Sequence, residues 1–247
     1  MRTICWFSAG AASAVATHLA LRECPDAVVV RIDTGSEHPD NERFADDCAA
    51  WFRRPIEVIR SNEYAATWDV WERTRYLVGP GGARCTAELK KRPRMAFERP
   101  DDVQVFGYTV EEQHRADRFR EQNPEIDLST PLIDAGLTKS DCLAMIDRQG
   151  IELPAMYRLG FQNNNCIGCP KGGIAYWNHI RRHFPDVFYR MAMLERDIGA
   201  SCLREDSRRG DGGPIWLDEL GTERGGRMAD EPDFECSLMC HLAEVTL

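Results

Sequence analysis

"TICWFSAGAASAVATHLAL", residues 3 to 21, decides how the chain is read. The apolar run TICWF (3–7) enters a turn of small residues, Phe7 to Ala14, and a helical pattern follows near 13–22. Strand, tight turn and helix open an α/β unit. A glycine turn at a helix start offers backbone N–H groups and the positive end of the helix dipole to an anion. Ser8 and Ser13 add hydroxyls, and Gly10 lets an oxygen approach the main chain. Asp33 lies 23 residues beyond Gly10, at the end of a second strand, where a carboxylate can accept hydrogen bonds from a ribose. Together these features read as a nucleotide site. Neither GxGxxG nor GxxxxGK[ST] is present, which excludes the dinucleotide fingerprint and the ordinary P-loop.

Outward from this stretch the alternation continues. AVVVRI (27–32) is a β-branched run suited to a strand buried on both faces, then come a helix near 40–53, IEVIR (56–60), a helix around 64–74 and VQVFG (103–107). Such alternation predicts a mainly parallel sheet with helices on both faces, its strand ends and their loops along one edge. A helix is expected at 138–149, capped by Thr138 and closed by Gly150, and two more at 173–184 and 185–199, with Pro185 at a first helical position. From about 205 the chain becomes rich in glycine and charge around one short apolar segment, IWLDEL. The expected organisation is an α/β nucleotide-binding core over 1–135 and a helical, cysteine-bearing portion over 136–247, as one continuous domain.

The 247 residues carry a net charge of −9, which argues against broad phosphate-backbone binding and favours a small-molecule substrate. Basic residues cluster only in LKKRPR (89–94) and HIRRHF (179–184), so nucleic acid as an acceptor is not favoured. No apolar run approaches the ~18 residues of a membrane span. The chain begins directly on a strand without room for a signal peptide, so the cytoplasm is the expected location.

Ten cysteines are many for a reducing compartment, where clustered thiols read as metal ligands or redox groups. Cys5, Cys24, Cys48, Cys142 and Cys202 lie in or near apolar-periodic segments and are expected to be buried small hydrophobes. Cys85, Cys166, Cys169, Cys236 and Cys240 are different. Cys166-Ile167-Gly168-Cys169, followed by Pro170, can turn two thiolates onto one metal or cluster, yet alone it is ambiguous among zinc, iron–sulfur and a redox dithiol. Cys236 and Cys240 form a C-x-x-x-C that suits metal ligation or a nucleophile with a resolving partner. Lys90 and Lys171 each stand close in sequence to one of these cysteines, where a cation favours thiolates and an anionic substrate. His38, His114, His179 and His183 lack a paired carboxylate and are expected to be bystanders, while Tyr176 and Trp177 are expected to cover the cysteine site.

Several segments together resemble one family. SAGAAS (8–13) resembles the S-G-G-x-D-S pyrophosphate loop of the adenine nucleotide α-hydrolase (PP-loop) superfamily, with Ser8, Gly10 and Ser13 matching. IDTGSEHPDNERF (32–44) resembles the D-T-G-x-x-x-P-E-T segment of phosphoadenosine phosphosulfate (PAPS) reductase relatives, which brings Asp33, Thr34 and Gly35 into the nucleotide site. GYTVEEQHRADRF (107–119) resembles their G-x-R-x-x-E-S-x-x-R region, with Gly107, Glu111 or Glu112, and Arg115. The segment from Thr130 to Pro170 follows their P-L-x-D-W to G-C-x-x-C-P pattern, and the likeness runs from about residue 3 to 190.

The resemblance implies that Cys85, Cys166 and Cys169 ligate a [4Fe–4S] cluster, with the fourth position filled by Cys236 or Cys240 or left open. GARCTAELKKRP (82–93) resembles the C-C-x-x-R-K-x-x-P element of adenosine phosphosulfate (APS) reductases, with Thr86 at its second cysteine, and Glu235-Cys236 resembles the tail whose cysteine attacks sulfur there. An open iron would let the cluster hold a sulfur for transfer, as proposed for related tRNA thiolases. Departures are Ala12 in place of the loop aspartate, Ala9 in place of one of its glycines, and Thr109 in place of the first arginine of the G-x-R element. Ala12 leans away from vigorous ATP cleavage.

The expected function is therefore an iron–sulfur enzyme that binds an adenine nucleotide, ATP with Mg or APS/PAPS, its phosphates facing the cluster beside Lys90, Arg115 and Lys171. Adenylation-linked sulfur transfer from a sulfur donor is the leading version. A thioredoxin-dependent sulfonucleotide reductase with Cys236 as nucleophile is the alternative, and a non-catalytic nucleotide- or metal-binding protein is the third. A homo-oligomer is compatible with all three.

Overall fold

The computed structural model describes residues 1–79, 82–205 and 212–228. Five short strands, β1 (Thr3–Trp6), β2 (Val28–Ile32), β3 (Ile56–Ile59), β4 (Val103–Val105) and β5 (Asp127–Ser129), form one sheet in the order β3-β2-β1-β4-β5. Every pairing in it is parallel, with Cys5 opposite both Val29 and Val105. The expected α/β fold with a mainly parallel sheet is therefore present. The order reverses between β1 and β4, and such a switch point opens a crevice at the strand C-termini. The turn after β1 and the turn after β4 both stand there.

Helices α1 (Ala11–Glu23), α2 (Asp40–Phe52), α4 (Gln113–Gln122) and α5 (Lys139–Arg148) flank this sheet. Alanines at 11, 14, 16 and 20 give α1 a flat face, so it packs closely into a core with Phe7, Phe44, Phe52, Leu132 and Ile146. Cys5, Cys48 and Cys142 are wholly buried in that core, and burial pushes the Cys5 and Cys142 thiols up to about 12. They are small hydrophobes, as expected. Cys24 is not: it caps the C-terminus of α1 and is exposed, because the helix ends at the surface before the next strand. Thr138 caps α5 through a reciprocal box with Asp141, whose carboxylate also accepts from the Thr138 backbone at 2.9 Å.

By its internal contacts the chain forms two compact units. The first comprises 1–33, 39–60 and 93–158 and contains the whole parallel sheet. The second takes 34–38, 61–92 and the chain from 159 onward. Its described elements include α3 (Thr67–Thr74), α6 (Ile174–His183) and α7 (Pro185–Ile198), with Trp177, Ile180, Phe188 and Met191 buried. From Arg84 the chain runs as an α-turn, Arg84–Thr86, a π-helical stretch, Ala87–Lys91, and the helix Arg92–Phe97. The strand β5, helix α4 and the π-helical stretch lack a sequence signal. QHRADRFREQ is too uniformly polar to show an apolar stripe, and three strand residues cannot display an alternation.

Candidate functional site

In the first unit, Ser13 organises the turn after β1. Its Oγ accepts from the Ser8 amide and the Ser8 hydroxyl, each at 3.0 Å, and donates to the Gly10 carbonyl at 2.9 Å. Gly10 precedes α1 with no side-chain cap, and the first turn carries no acidic residue, which leaves the helix start open to an anion. Ala9 sits at φ 57°, a left-handed conformation that a side chain makes costly. Gly107, after β4, touches α1 directly: a Cβ there would lie 2.8 Å from the Ser13 N and Cα. Only glycine permits that approach, so Gly107 shapes the turn through its own backbone.

Two further groups belong to this unit. Asp33 is paired with Arg60, whose Nε donates to the carboxylate at 2.8 Å. The Tyr157 hydroxyl lies 3.5 Å from where a Cβ on Gly10 would be. Tyr157 is carried by a segment clamped to α2. Asp40 accepts from the Ala155 amide at 2.7 Å and from Arg43 at 2.8 Å, and Arg43 donates to the Glu152 carbonyl at 3.0 Å. These bonds, Arg43 foremost, hold the Asp40 carboxyl well below the usual carboxylate range. The motif reading contained Tyr157 without giving it a role. The i,i+3 spacing of Asp40 and Arg43 was the available signal for the clamp. Arg115 is paired with Glu112 and lies over the Tyr108 ring at 5.5 Å, also within this unit. Glu111 accepts from the Lys139 amide at 3.2 Å.

The second unit holds Cys85, Cys166 and Cys169, all buried. The C-x-x-C turn is fixed from two sides. Tyr176, fully buried, accepts from the Gly168 amide at 3.1 Å and the Cys169 amide at 2.9 Å, and its hydroxyl donates to the Cys166 carbonyl at 3.3 Å. Burial, then the adjoining Cys169, pushes that hydroxyl well above its ordinary range, so it stays a neutral phenol. Gly168 takes φ 78°, and a Cβ there would meet Val187 at 2.6 Å. On the other side Ile167 N–H donates to the Ser36 carbonyl at 2.9 Å, and Thr34 Oγ1 lies 3.0 Å from Cys166 Sγ in a hydrogen bond. Thr34 and Gly35, expected near a nucleotide, thus belong to the cysteine unit, and Thr34 braces its thiol.

Cys85 opens the helical run whose buried Glu88 pairs with Arg84 at 2.8 Å and Arg92 at 2.7 Å. Lys90, on the π-helical stretch, and Lys171, after the C-x-x-C, are half-buried members of this unit. Trp177 stacks edge-on against Tyr176 at 5.7 Å. His179 is engaged with the Leu159 carbonyl at 2.6 Å and takes no part. Cys202 departs from its expected role as a buried hydrophobe. It is partly exposed as a residue, and its thiol is raised well above the usual range by burial first, then by Glu195, Cys169 and Cys85. Sequence pattern missed it because it lies in a loop after α7, 33 residues past Cys169. Cys236 and Cys240 lie outside the described residues.

Among the described residues no three Cys, His, Asp or Glu side chains converge on one metal ion. The donor chemistry, buried cysteines in one unit with a hydroxyl beside one sulfur, is of the kind an iron–sulfur group takes. Among the described residues no helix is long and apolar enough to cross a membrane.

Comparison with known proteins adds two findings. A family model described as "Phosphoadenosine phosphosulfate reductase domain" matches residues 2–172. A protein of Shigella dysenteriae serotype 1 (strain Sd197), named "Phosphoadenosine 5'-phosphosulfate reductase", is 36% identical over 69 residues. That stretch is 28% of this chain and spans 27% of the relative's length.

Proposed function

The chain belongs to the phosphoadenosine phosphosulfate reductase domain family, and from that premise we propose an iron–sulfur enzyme that binds an adenine nucleotide and carries out sulfur chemistry. The observation that carries this reading is the burial of Cys85, Cys166 and Cys169 within one unit. They would hold a [4Fe–4S] cluster, which when bound supplies iron sites for sulfur or a fixed positive charge. The Thr34 hydroxyl shares a hydrogen bond with Cys166 Sγ at 3.0 Å and fixes the position of that sulfur. Tyr176 keeps the C-x-x-C turn rigid through three hydrogen bonds.

The nucleotide is proposed to bind at the turn after β1. Its phosphates would meet the Ser8 and Ser13 hydroxyls and the uncapped N–H groups of α1, with the Tyr157 hydroxyl as a further donor. Asp33, paired with Arg60, would accept from the ribose hydroxyls. A Mg ion would accompany ATP. Adenylation-linked sulfur transfer to an acceptor is the version we favour, because Thr86 beside Cys85 limits the thiols at that place to one.

A sulfonucleotide reductase is the second reading, and the name of the Shigella relative favours it. There Cys236 would attack the sulfur, and a thioredoxin-type dithiol would release sulfite. The test is anaerobic purification with iron and sulfide analysis, then two assays: ATP–pyrophosphate exchange and sulfite release from APS or PAPS. Iron with exchange, unaffected by Cys236→Ser, is the expected result. Sulfite release abolished by Cys236→Ser establishes the reductase instead. A protein without iron or sulfide after oxygen-free handling overturns both.

A further inference from the structure

Nucleotide binding at the turn after β1 is the reading on which this inference rests. We propose that Asp40, in the first turn of α2, is a positioning residue of that site, acting through Tyr157 to set a nucleotide phosphate over Gly10. All the groups involved lie in the first unit.

The turn itself offers few hydroxyl protons. SAGAAS (8–13) carries no charged side chain, and a serine hydroxyl has one proton to donate. Ser13 donates its own to the Gly10 carbonyl, and Ser8 donates its own to Ser13 Oγ. Either can turn to a phosphate only by breaking a bond that shapes the turn. Another hydroxyl stands on the same side of the main chain. Where a Cβ would lie on Gly10, Tyr157 Oη is at 3.5 Å and Ser8 Oγ at 3.6 Å. Gly10 immediately precedes α1, so an anion held at that helix start would face Tyr157 from within the crevice.

The place of Tyr157 is set from α2. It lies in the single helical turn Ala155–Arg158, whose first amides have no partner inside the turn. Asp40 supplies one, accepting from the Ala155 amide at 2.7 Å across 115 positions of chain. It also accepts from the Arg158 side chain at 3.3 Å, so one carboxylate holds the residues at both ends of this turn. Arg43 pairs with the two Asp40 oxygens at 2.8 and 2.9 Å and donates onward to the Glu152 and Leu153 carbonyls, at 3.0 and 3.3 Å. An exposed pair one helical turn apart contributes little by itself. Here the pair fastens residues 152, 153, 155 and 158, which bracket Tyr157. A binding group acts well only when the residues behind it are fixed, and this arrangement supplies that support.

The test is calorimetric titration of the full chain with ATP and with APS, the tighter-binding of the two then serving for the variants. Tyr157→Phe removes only the hydroxyl and should weaken binding about tenfold or more, the usual loss for a hydrogen bond to a charged group. Asp40→Ala should weaken it by a similar factor. The double variant should be no weaker than the worse single one, because one effect runs through the other. Losses that simply add overturn the positioning role, since a separate structural effect of Asp40 gives that result. Unchanged affinity in Tyr157→Phe overturns the proposal outright. Thermal melts establish that the variants are folded. Should Asp40→Ala not fold, hydrogen exchange of wild type replaces it. Amides 152–158 should exchange more slowly with the nucleotide bound, and unchanged exchange there overturns the proposal. Wild type that binds neither ATP nor APS overturns the nucleotide reading itself, which is seen before any substitution is made.

Discussion

Six consecutive residues, Ser8 to Ser13, build the turn after β1, whereas the C-x-x-C turn draws on Thr34, Ser36, Cys166 to Cys169 and Tyr176. The first is a local device: a strand end, a glycine and a helix start suffice, and its hydrogen bonds span at most five residues. The second joins groups up to 132 positions apart, as in the contact of Thr34 with Cys166. Even so, the local turn needs one distant residue, Gly107, whose missing Cβ leaves room for the Ser13 backbone. Assembled sites fail when any contributing segment moves, and their parts look unrelated until the fold is known.

The sharpest way to break this comparison is within the cysteine unit. Cys169→Ser should abolish iron uptake, measured after reconstitution, while nucleotide binding at the first unit persists by calorimetry. Loss of both together would show the contrast to be false. Next comes Tyr176→Phe, which leaves the Gly168 and Cys169 amides buried without an acceptor. Each orphaned group costs about 1–3 kcal/mol, so segments 166–169 should exchange amide hydrogens much faster while the β1 turn is unchanged.

Gly107→Ala tests the local site. Its methyl must displace the Ser13 backbone, a strain of about 1–3 kcal/mol, and nucleotide affinity should fall with iron uptake intact. Acidification probes the same unit. The Asp40 carboxyl is held low chiefly by Arg43 and that of Asp102 chiefly by Arg2. Both are ionised more readily folded than unfolded. Their stabilisation is therefore full above about pH 4, the unfolded carboxylate value, and is lost as pH falls through the lower folded values. A denaturation midpoint that drops below pH 4 and recovers in Asp40→Asn only in part is the expected profile. The smallest effect is Ala9→Gly, which relieves a left-handed alanine at some cost in chain entropy and should raise stability by under about 1 kcal/mol in urea titration.

Much of the first unit was legible beforehand. β-Branched runs gave β1 to β4 within two residues at each end, and Thr138 and Pro185 marked the starts of α5 and α7. Ser8, Gly10 and Ser13 were legible as one turn because a strand end, a glycine and a helix start are written in adjacent letters. What the letters did not contain was the use of Thr34, which reads as part of a nucleotide motif yet bonds to a thiol. Nor did they reveal the clamp of Asp40 and Arg43 beneath Tyr157, or the partnership of Arg60 with Asp33.

The sequence by itself determined the parallel α/β sheet, the turn after β1, the burial of Cys5, Cys48 and Cys142, and the cysteine motif at 166–169, since each follows from local pattern and hydrophobic periodicity. Only the tertiary structure decided that Cys24 lies exposed, that Tyr176 holds the C-x-x-C turn, and that Glu195 accepts from the Cys202 amide. Those outcomes depend on which distant segments meet. Chain connectivity sets no such distances until packing and buried hydrogen bonds such as those of Glu195 fix them.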